Sequence, residues 1–359
     1  MESNHSVIEG VGTALPEHQL SQQDAFEVMH EWLENEEADL SPGRAEDVFD
    51  RAGVTSRRTV STKEELLDRQ DFGRRSDRYQ VEGKQLGIKA IDDALERTGL
   101  EPGDIDLIIT VSCTGFTIPP LDALIINELD FRPDVRRLPI AELGCAAGAS
   151  ALCRARDYLK AYPDQRVLIL SVEMCSLTFQ PTDRSGAQIV SAALFGDGAA
   201  AVVVGGSDVS SDNPDRPALV DYDTTFFEDT LDFMGYQNSE HGMHIMLSPR
   251  IPAHVKKHVR GLVGDFLDRH GLGRGDIDKW VLHPGGRAIL DAFEDKFSLN
   301  GELDPSKQIL RNVGNLSSAT VLYVLRKVMA SEPGPGSHGL LMAFGPGFSA
   351  DIGLLKWGS

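Results

Sequence analysis

Apolar residues follow two alternating patterns along the chain. Mainly apolar runs, typical of strands buried on both faces of a sheet, alternate with stretches in which apolar residues recur at the helical period. The helical pattern is clearest over residues 146–162 and 252–270. The clearest apolar runs are DLIITVSC (106–113), RVLILSVE (166–173) and AAAVVVGG (199–206). This alternation predicts a layered α/β fold.

Two segments of the chain resemble each other at a constant offset. Residues 94–106 (ALERTGLEPGDID) and 266–278 (FLDRHGLGRGDID) share eight of thirteen positions, and each places a helix end, a glycine and a turn before an apolar strand. A second similarity follows, because FGDG (195–198) and FGPG (344–347) also precede apolar strands. The repeated order predicts a duplicated α/β unit whose halves pack together. The predicted halves are residues 1–206 and 207–359.

Charge and cysteine content exclude several classes of function. The 359 residues include 55 acidic and 35 basic ones, a net charge of −20, which disfavours nucleic acid or an anionic membrane surface as the main partner. No apolar run approaches the ~18 residues of a membrane span, and the N-terminus lacks a signal-like pattern, so we expect a cytoplasmic protein. The four cysteines show no CxxC and no metal-like spacing with histidine, which predicts reduced thiols and no metal site.

Cys145 is the candidate nucleophile. It follows a short strand-like run and a glycine, and it directly precedes a strong helix pattern, in LPIAELGCAAGASALCRARDYLKAY. A thiol at a helix N-terminus faces unpaired backbone N–H groups and the positive end of the helix dipole, and both lower its pKa. The small residues around it leave room for a substrate. A small buried cysteine in a tightly packed turn is the alternative interpretation.

Two further candidates lie in the C-terminal half. His283 ends the strand of the second repeat, in WVLHPGGRAIL, and α/β folds carry functional groups at the carboxyl ends of strands. Asn315 lies in the turn NVGNLSSAT, where an N-cap role for Asn315, Ser317 or Ser318 is the alternative. A thiol with an imidazole and an amide suits acyl transfer through a thioester, and both nitrogen donors can stabilise an enolate or oxyanion.

Five motifs, in this order, resemble the chalcone-synthase-like type III polyketide synthases. The resemblance runs from about residue 85 to the C-terminus. It implies a thiolase-like duplicated αβαβα fold, a homodimer, and iterative condensation of malonyl-CoA onto an acyl-CoA starter, without an acyl carrier protein, a metal or another cofactor. The motifs are GCAAGA (144–149), LFGDGAAAVVVG (194–205), HPGGRAIL (283–290), GNLSSAT (314–320) and FGPG (344–347).

The resemblance also implies a role for each candidate. Cys145 would carry the acyl chain as a thioester, and its thiolate would pair with the imidazolium of His283. His283 and Asn315 would promote decarboxylation of the malonyl group and hold the developing enolate. Phe195, in the FGDG motif, matches the aromatic residue that separates the CoA tunnel from the cavity in this family.

Departures from the family pattern bear on the substrate. The second gatekeeping aromatic residue of the family falls in EHGMHIMLSPRIP, where this chain has Ile245 and no aromatic side chain. The loss of that ring favours an aliphatic starter over an aromatic one. With a cysteine at position 175, the chain resembles the bacterial members of the family that make alkylpyrones or tetrahydroxynaphthalene. Ile118 is expected to cross a dimer interface into the cavity of the partner. The remaining residues expected at the cavity are Cys113, Thr114, Cys175, Thr178 and Ser317.

A CoA substrate needs cations near its phosphates. The candidates are Arg57 and Arg58 in VTSRRTV, where the family is also basic. An ordinary solvated arginine pair is the alternative interpretation.

The favoured interpretation is therefore a type III polyketide synthase that takes a medium- or long-chain aliphatic acyl-CoA and releases a pyrone. A tetrahydroxynaphthalene-type synthase that uses malonyl-CoA alone is the nearest alternative. A single-condensation ketoacyl synthase of the fatty-acid-initiation type is another. A non-catalytic thiolase-fold subunit is disfavoured, because such subunits typically lose the nucleophile and Cys145 is present.

Overall fold

The computed structural model describes residues 5–35, 41–67, 71–210, 215–239 and 242–358. The strands within these ranges are β1 (Ser6–Ala14), β2 (His18–Ser21), β3 (Ser56–Thr59), β4 (Leu107–Ser112), β5 (Arg136–Ala141), β6 (Arg166–Met174), β7 (Asp197–Gly205), β8 (Pro217–Phe226), β9 (Met234–Ser239), β10 (Gly242–Leu247), β11 (Lys279–Leu282), β12 (His338–Gly345) and β13 (Ser349–Trp357). The helices are α1 (Gln22–Asn35), α2 (Pro42–Arg51), α3 (Phe72–Thr98), α4 (Leu121–Ile126), α5 (Ala147–Ala161), α6 (Gly186–Leu194), α7 (Ile251–Asp268), α8 (Arg287–Phe297), α9 (Asp304–Val313) and α10 (Thr320–Met329).

The main sheet is built from two similar halves. Its strand order is β11-β12-β13-β8-β1-β7-β6-β4-β5. The series β1-β7-β6-β4 and the series β8-β13-β12-β11 each contain two antiparallel pairs followed by one parallel pair. The halves join where β1 and β8 pair, at Ser6 with Leu219 and Val7 with Ala218. The predicted duplicated α/β fold is therefore confirmed, while the precise division of the chain at residue 206 stays a prediction.

Helices cover both half-sheets and also fill the space between them. The central helices α5 and α10 share one apolar core with β4, β6 and β7 on one side and β11, β12 and β13 on the other. The long helix α3 covers the outer face of the first half, and α7 and α8 cover the outer face of the second. This is the layer order helix–sheet–helix–sheet–helix, in which strands are buried on both faces. None of the helices in the described residues is long and apolar enough to cross a membrane.

The hydrophobic pattern predicts the main elements closely. The three apolar runs form β4, β6 and β7, and the two helical stretches form α5 and α7. The repeated segments form the end of α3 with the turn before β4, and the end of α7 with the turn before β11. Gly99 and Gly271 take left-handed φ angles of 71° and 66° there, so a glycine in each copy ends the helix without strain.

Gly12 allows α3 to lie directly against β1. A Cβ atom built at Gly12 would lie 2.3 Å from the Ala90 carbonyl oxygen and 2.3 Å from the Ala94 nitrogen, both of which are backbone atoms and cannot rotate away. We expect Gly12→Ala to lower the free energy of unfolding by about 3 kcal/mol. Gly261→Ala on α7 is the control, because its Cβ would meet nothing within 4 Å, and it should leave stability unchanged or raise it by up to about 1 kcal/mol. Urea unfolding of both variants tests this; equal midpoints would contradict the close packing of α3 on β1.

Candidate active site

The three candidate catalytic residues line one cavity of about 1540 Å³. Cys145 comes from the turn after β5, His283 from the end of β11, and Asn315 from the turn before α10. The nucleophile lies in the first half of the fold and the other two residues in the second half. The cavity is larger than the ~300–1,000 Å³ typical of small-ligand sites, so it has room for a ligand larger than most.

Cys145 lies on a sharp turn that the sequence makes possible. The turn Gly144–Ala146 is a single 3₁₀ turn, and α5 begins directly after it at Ala147. Gly144 has a φ of 50°, and a Cβ atom there would lie 2.6 Å from Cδ of Pro346, so this position requires glycine. The thiol is buried but lines the cavity, and its Sγ donates to Oγ of Ser317 at 3.6 Å.

Burial disfavours the charged forms of both Cys145 and His283 when each is taken alone. Burial raises the pKa of Cys145 to about 12, while its hydrogen bonds with Ser317 and Asn315 act in the opposite direction. Burial lowers the pKa of His283 to about 3. Transfer of the thiol proton to the imidazole would place two opposite charges in the same site, where each stabilises the other. The predicted thiolate–imidazolium pair stays a prediction.

His283 and Asn315 leave polar groups available to a ligand. Both imidazole nitrogens of His283 are buried and have no hydrogen-bond partner among the described residues, which is costly unless a substrate supplies one. The amide of Asn315 has a fixed orientation, because its Oδ1 accepts from the Ser317 backbone nitrogen at 2.8 Å and from Oγ1 of Thr320 at 3.2 Å. Its Nδ2 donates to the Gly285 carbonyl oxygen at 3.3 Å, a long bond that a better acceptor can replace.

Ser317 connects Cys145 to a buried carboxylate that sequence reasoning missed. Oγ of Ser317 lies 3.2 Å from Sγ of Cys113, which in turn donates to Glu173 at 3.5 Å. Glu173 is fully buried at the end of β6, and it accepts hydrogen bonds from Oγ1 of Thr114 at 2.6 Å and from Ser318. Burial raises the pKa of Glu173, while these hydrogen bonds lower it. The feature of the sequence that could have indicated Glu173 is an acidic residue at the end of a mainly apolar run.

The residues predicted at the cavity fall into two groups. Cys113, Phe195, Ile245 and Ser317 all line it. Three other residues do not belong to its lining. They are Thr114, Cys175 and Thr178.

Local hydrogen bonding explains why the two threonines lie outside the lining. The hydroxyl of Thr114 donates to Glu173 and accepts from the Met174 backbone nitrogen at 2.8 Å, so it faces the strand end and not the cavity. The hydroxyl of Thr178 donates to the Cys175 carbonyl oxygen at 2.8 Å, within its own 3₁₀ turn. Cys175 instead lines a small neighbouring pocket of about 60 Å³, which shares Phe195 with the main cavity.

The structure argues against the expected CoA-phosphate contact for Arg57, while that of Arg58 stays a prediction. The guanidinium of Arg57 is buried, and it donates to the backbone carbonyl oxygens of Ala193 at 3.0 Å and Phe195 at 3.1 Å. It therefore anchors the end of α6 from inside the protein. Arg58 is half-buried and donates to the Glu17 carbonyl oxygen at 2.8 Å. Neither arginine lines the cavity.

Two other arginines do line the cavity. Arg51 ends α2, Arg287 begins α8, and both are exposed. Arg287 makes a long contact of 3.7 Å with Asp291, one turn along the same helix. Exposed contacts of this kind are weak, so the guanidinium can turn to an anion instead. Sequence reasoning missed both, because a single arginine at a helix end carries no pattern of its own.

The chain is similar over nearly its whole length to known proteins. The models of the chalcone and stilbene synthase family match residues 2–208 with the N-terminal domain and 219–356 with the C-terminal domain. A 1,3,6,8-tetrahydroxynaphthalene synthase of Streptomyces peucetius subsp. caesius is 39% identical over 99% of this chain and 96% of its own. One from Streptomyces griseus is 35% identical over 96% and 91%. The crystal structure of the Streptomyces coelicolor enzyme of that name superimposes with a TM-score of 0.91 at 32% identity, covering 99% of both chains.

Proposed function

The chain belongs to the chalcone and stilbene synthase family of type III polyketide synthases, which are acyltransferases; from that premise we propose that it condenses malonyl-CoA units iteratively on Cys145. The observation that carries this proposal is the meeting of Cys145, His283 and Asn315 at the wall of one large cavity. Enzymes of this family use CoA-linked substrates directly, without a carrier protein. We further propose that no metal or other cofactor takes part.

Each residue then has a defined part in the cycle. The Cys145 thiolate attacks the carbonyl carbon of a CoA thioester, and the CoA thiolate leaves and takes up a proton. A second molecule, malonyl-CoA, loses its carboxylate as CO₂, and the electron pair of the broken bond becomes an enolate. Donors on His283 and Asn315 hold the enolate oxygen. The enolate carbon attacks the Cys145 thioester, and the carbon–sulfur bond to Cys145 breaks. This step restores the Cys145 thiolate and leaves the chain, now two carbons longer, attached to CoA.

For the product, we propose a naphthalene of the tetrahydroxynaphthalene type made from malonyl-CoA alone. Two relatives, 39% and 35% identical across almost the whole chain, and the solved structure with a TM-score of 0.91 all carry that name. A naphthalene skeleton can be assembled wholly from two-carbon units, so no other starter is required. The large cavity gives such a chain room to fold and cyclise.

An aliphatic acyl-CoA starter, with release of a pyrone, is the second candidate. Ile245 lines the cavity at the position where the family carries an aromatic side chain, and the neighbouring residues Met243, Met246 and Leu247 line it as well. An apolar, flexible wall of this kind suits an alkyl chain.

The test is an incubation with malonyl-CoA alone and with a series of acyl-CoA starters from acetyl to stearoyl, with products identified by mass spectrometry. We expect an aromatic product from malonyl-CoA alone. Pyrones formed only when a long-chain starter is present would favour the second candidate. A product of one condensation and no more would overturn the iterative mechanism and indicate a ketoacyl synthase.

We propose that two copies of the chain form a homodimer. The single chain exposes Phe116 and Ile118, which are 59% and 81% accessible, and Phe116 also lines the cavity. Adjacent exposed apolar side chains are typical of a surface that another subunit covers.

For the phosphates of CoA, we propose Arg51 and Arg287 as the cations.

Ile245→Phe should narrow the cavity from the wall formed by β10. The change adds a ring at a residue that lines the cavity, so it should reduce the turnover of long-chain starters about tenfold and leave the shortest starters much less affected. The comparison is the ratio of kcat/KM for stearoyl-CoA and acetyl-CoA in both proteins. An unchanged ratio would show that position 245 does not limit the chain.

A further inference from the structure

One wall of the cavity is a hairpin that stands apart from the main sheet. Strands β9 and β10 pair only with each other in the described residues, with Ile245 opposite Tyr236 and Leu247 opposite Met234. Residues that face each other across a hairpin point to the same side of it, and the four named here line the cavity. The position of this hairpin therefore sets the width of the cavity.

His244 precedes Ile245 on β10 and lies opposite Gln237 of β9, and it does not line the cavity. Its Nδ1 is 3.3 Å from Oδ2 of Asp183, and its Nε2 is 2.8 Å from Oγ of Ser239 on the neighbouring strand. The side chain of Asp183 is only 9% exposed and that of His244 25% exposed. A polar contact that is shielded from water in this way competes less with solvent than one at the surface.

Asp183 belongs to a loop that is itself firmly held. Its Oδ1 accepts from the Ser185 backbone nitrogen at 3.0 Å, at the start of α6. Two residues earlier, the Pro181 carbonyl oxygen accepts from Nε1 of the buried Trp32 at 2.9 Å. The loop thus has a fixed place between α1 and α6.

The same loop approaches the hairpin at a second point. A Cβ atom at Gly242, the first residue of β10, would lie 2.6 Å from Nε2 of the buried Gln180. Gly242 also has a φ of 121°, a backbone conformation that other residues rarely adopt, so the backbone favours glycine there. The loop and the hairpin are therefore in close contact along one edge, and the His244–Asp183 contact is a polar part of that edge.

We propose that the His244–Asp183 pair is a clasp that holds the β9–β10 hairpin in place and thereby limits the length of the chain that the cavity accepts. His244 is a positioning residue in this account, since it acts through Ile245 and Tyr236 and does not itself line the cavity. The proposal rests on the polyketide synthase activity proposed above. Opening the clasp should let the hairpin move outward and admit longer chains.

The experiment compares His244→Ala, Asp183→Asn and the double variant with the unmodified protein. One readout is the ratio of longer to shorter ketide products made from malonyl-CoA and the acyl-CoA series. The other is hydrogen–deuterium exchange of the β10 amides, which needs no activity. Asp232→Asn is the matched control, because Asp232 just before the hairpin pairs with Arg250 just after it, but both side chains are more than half exposed.

We expect each single variant to raise the product ratio about three- to tenfold and to speed exchange in β10, with no further change in the double variant. Asp232→Asn should change neither. Should Asp183→Asn not fold, His244→Ala decides the outcome by itself. Unchanged ratios and exchange, or effects of the two single variants that multiply in the double, would overturn the clasp. If the unmodified protein makes no polyketide, the proposed function fails, and the exchange readout still tests the clasp.

Discussion

Cys145→Ala should abolish polyketide formation, with a loss of at least about a thousandfold in kcat. The reason is covalent, because the alanine has no atom to which the acyl group can be attached. The site should otherwise persist, since the hydrogen bonds of the Cys145 thiol are weak, as the 3.6 Å bond to Ser317 shows. Product formation from malonyl-CoA, followed by mass spectrometry, is the measurement, and the melting temperature reports whether the fold is retained.

Cys153→Ala is the matched control for that variant. Cys153 is equally buried and lies on α5, two turns after Cys145, but it does not line the cavity. Its replacement should leave the activity per folded molecule unchanged. If Cys145→Ala retained substantial activity, or if Cys153→Ala lost activity in the same degree while still folded, the assignment of the nucleophile would be wrong.

His283→Ala should lower kcat by about a hundred- to ten-thousandfold and also change the pH dependence of Cys145. In the unmodified protein, transfer of the thiol proton to the imidazole leaves a thiolate with a positive partner. Without the imidazole, the thiolate would stand alone in a buried site, where burial raises the pKa of Cys145 toward about 12. The midpoint of alkylation against pH should therefore move upward.

Iodoacetamide labelling of Cys145 across a range of pH measures this shift, because only the thiolate reacts. The labelling rate falls as the pH falls below the midpoint, so at neutral pH His283→Ala should label much more slowly than the unmodified protein. His18→Ala, at an exposed position on β2, is the control and should leave the curve in place. Identical curves for His283→Ala and the unmodified protein would mean that the imidazole does not stabilise the thiolate.

The sequence predicted those parts of the site that depend on local pattern. The glycine before Cys145, the helix after it, and the strand end at His283 are each readable within about ten residues, because turns and helix ends have their own residue preferences. The structure brings Cys145, His283 and Asn315 to one cavity. The duplicated fold could be predicted for a similar reason, since residues 94–106 and 266–278 are similar in sequence.

What could not be predicted depends on contacts between distant segments. Arg57 and Arg58 have the same side chain, yet only burial against α6 makes one of them an internal anchor. Glu173 approaches Cys113 across 60 residues of chain, and His244 approaches Asp183 across 61. Such pairs follow from packing of the layers, which neither residue type nor spacing encodes.

The most direct test of the account is the state of Cys145 during turnover. The protein is mixed with malonyl-CoA, quenched in acid within the first turnovers and digested, and the peptide that contains Cys145 is weighed by mass spectrometry. The account predicts a series of thioester adducts on this peptide, each heavier than the last by one two-carbon ketide unit, and no adduct on the peptides that contain Cys113 or Cys175. A peptide that stays unmodified while product accumulates, or adducts on another cysteine, would contradict it.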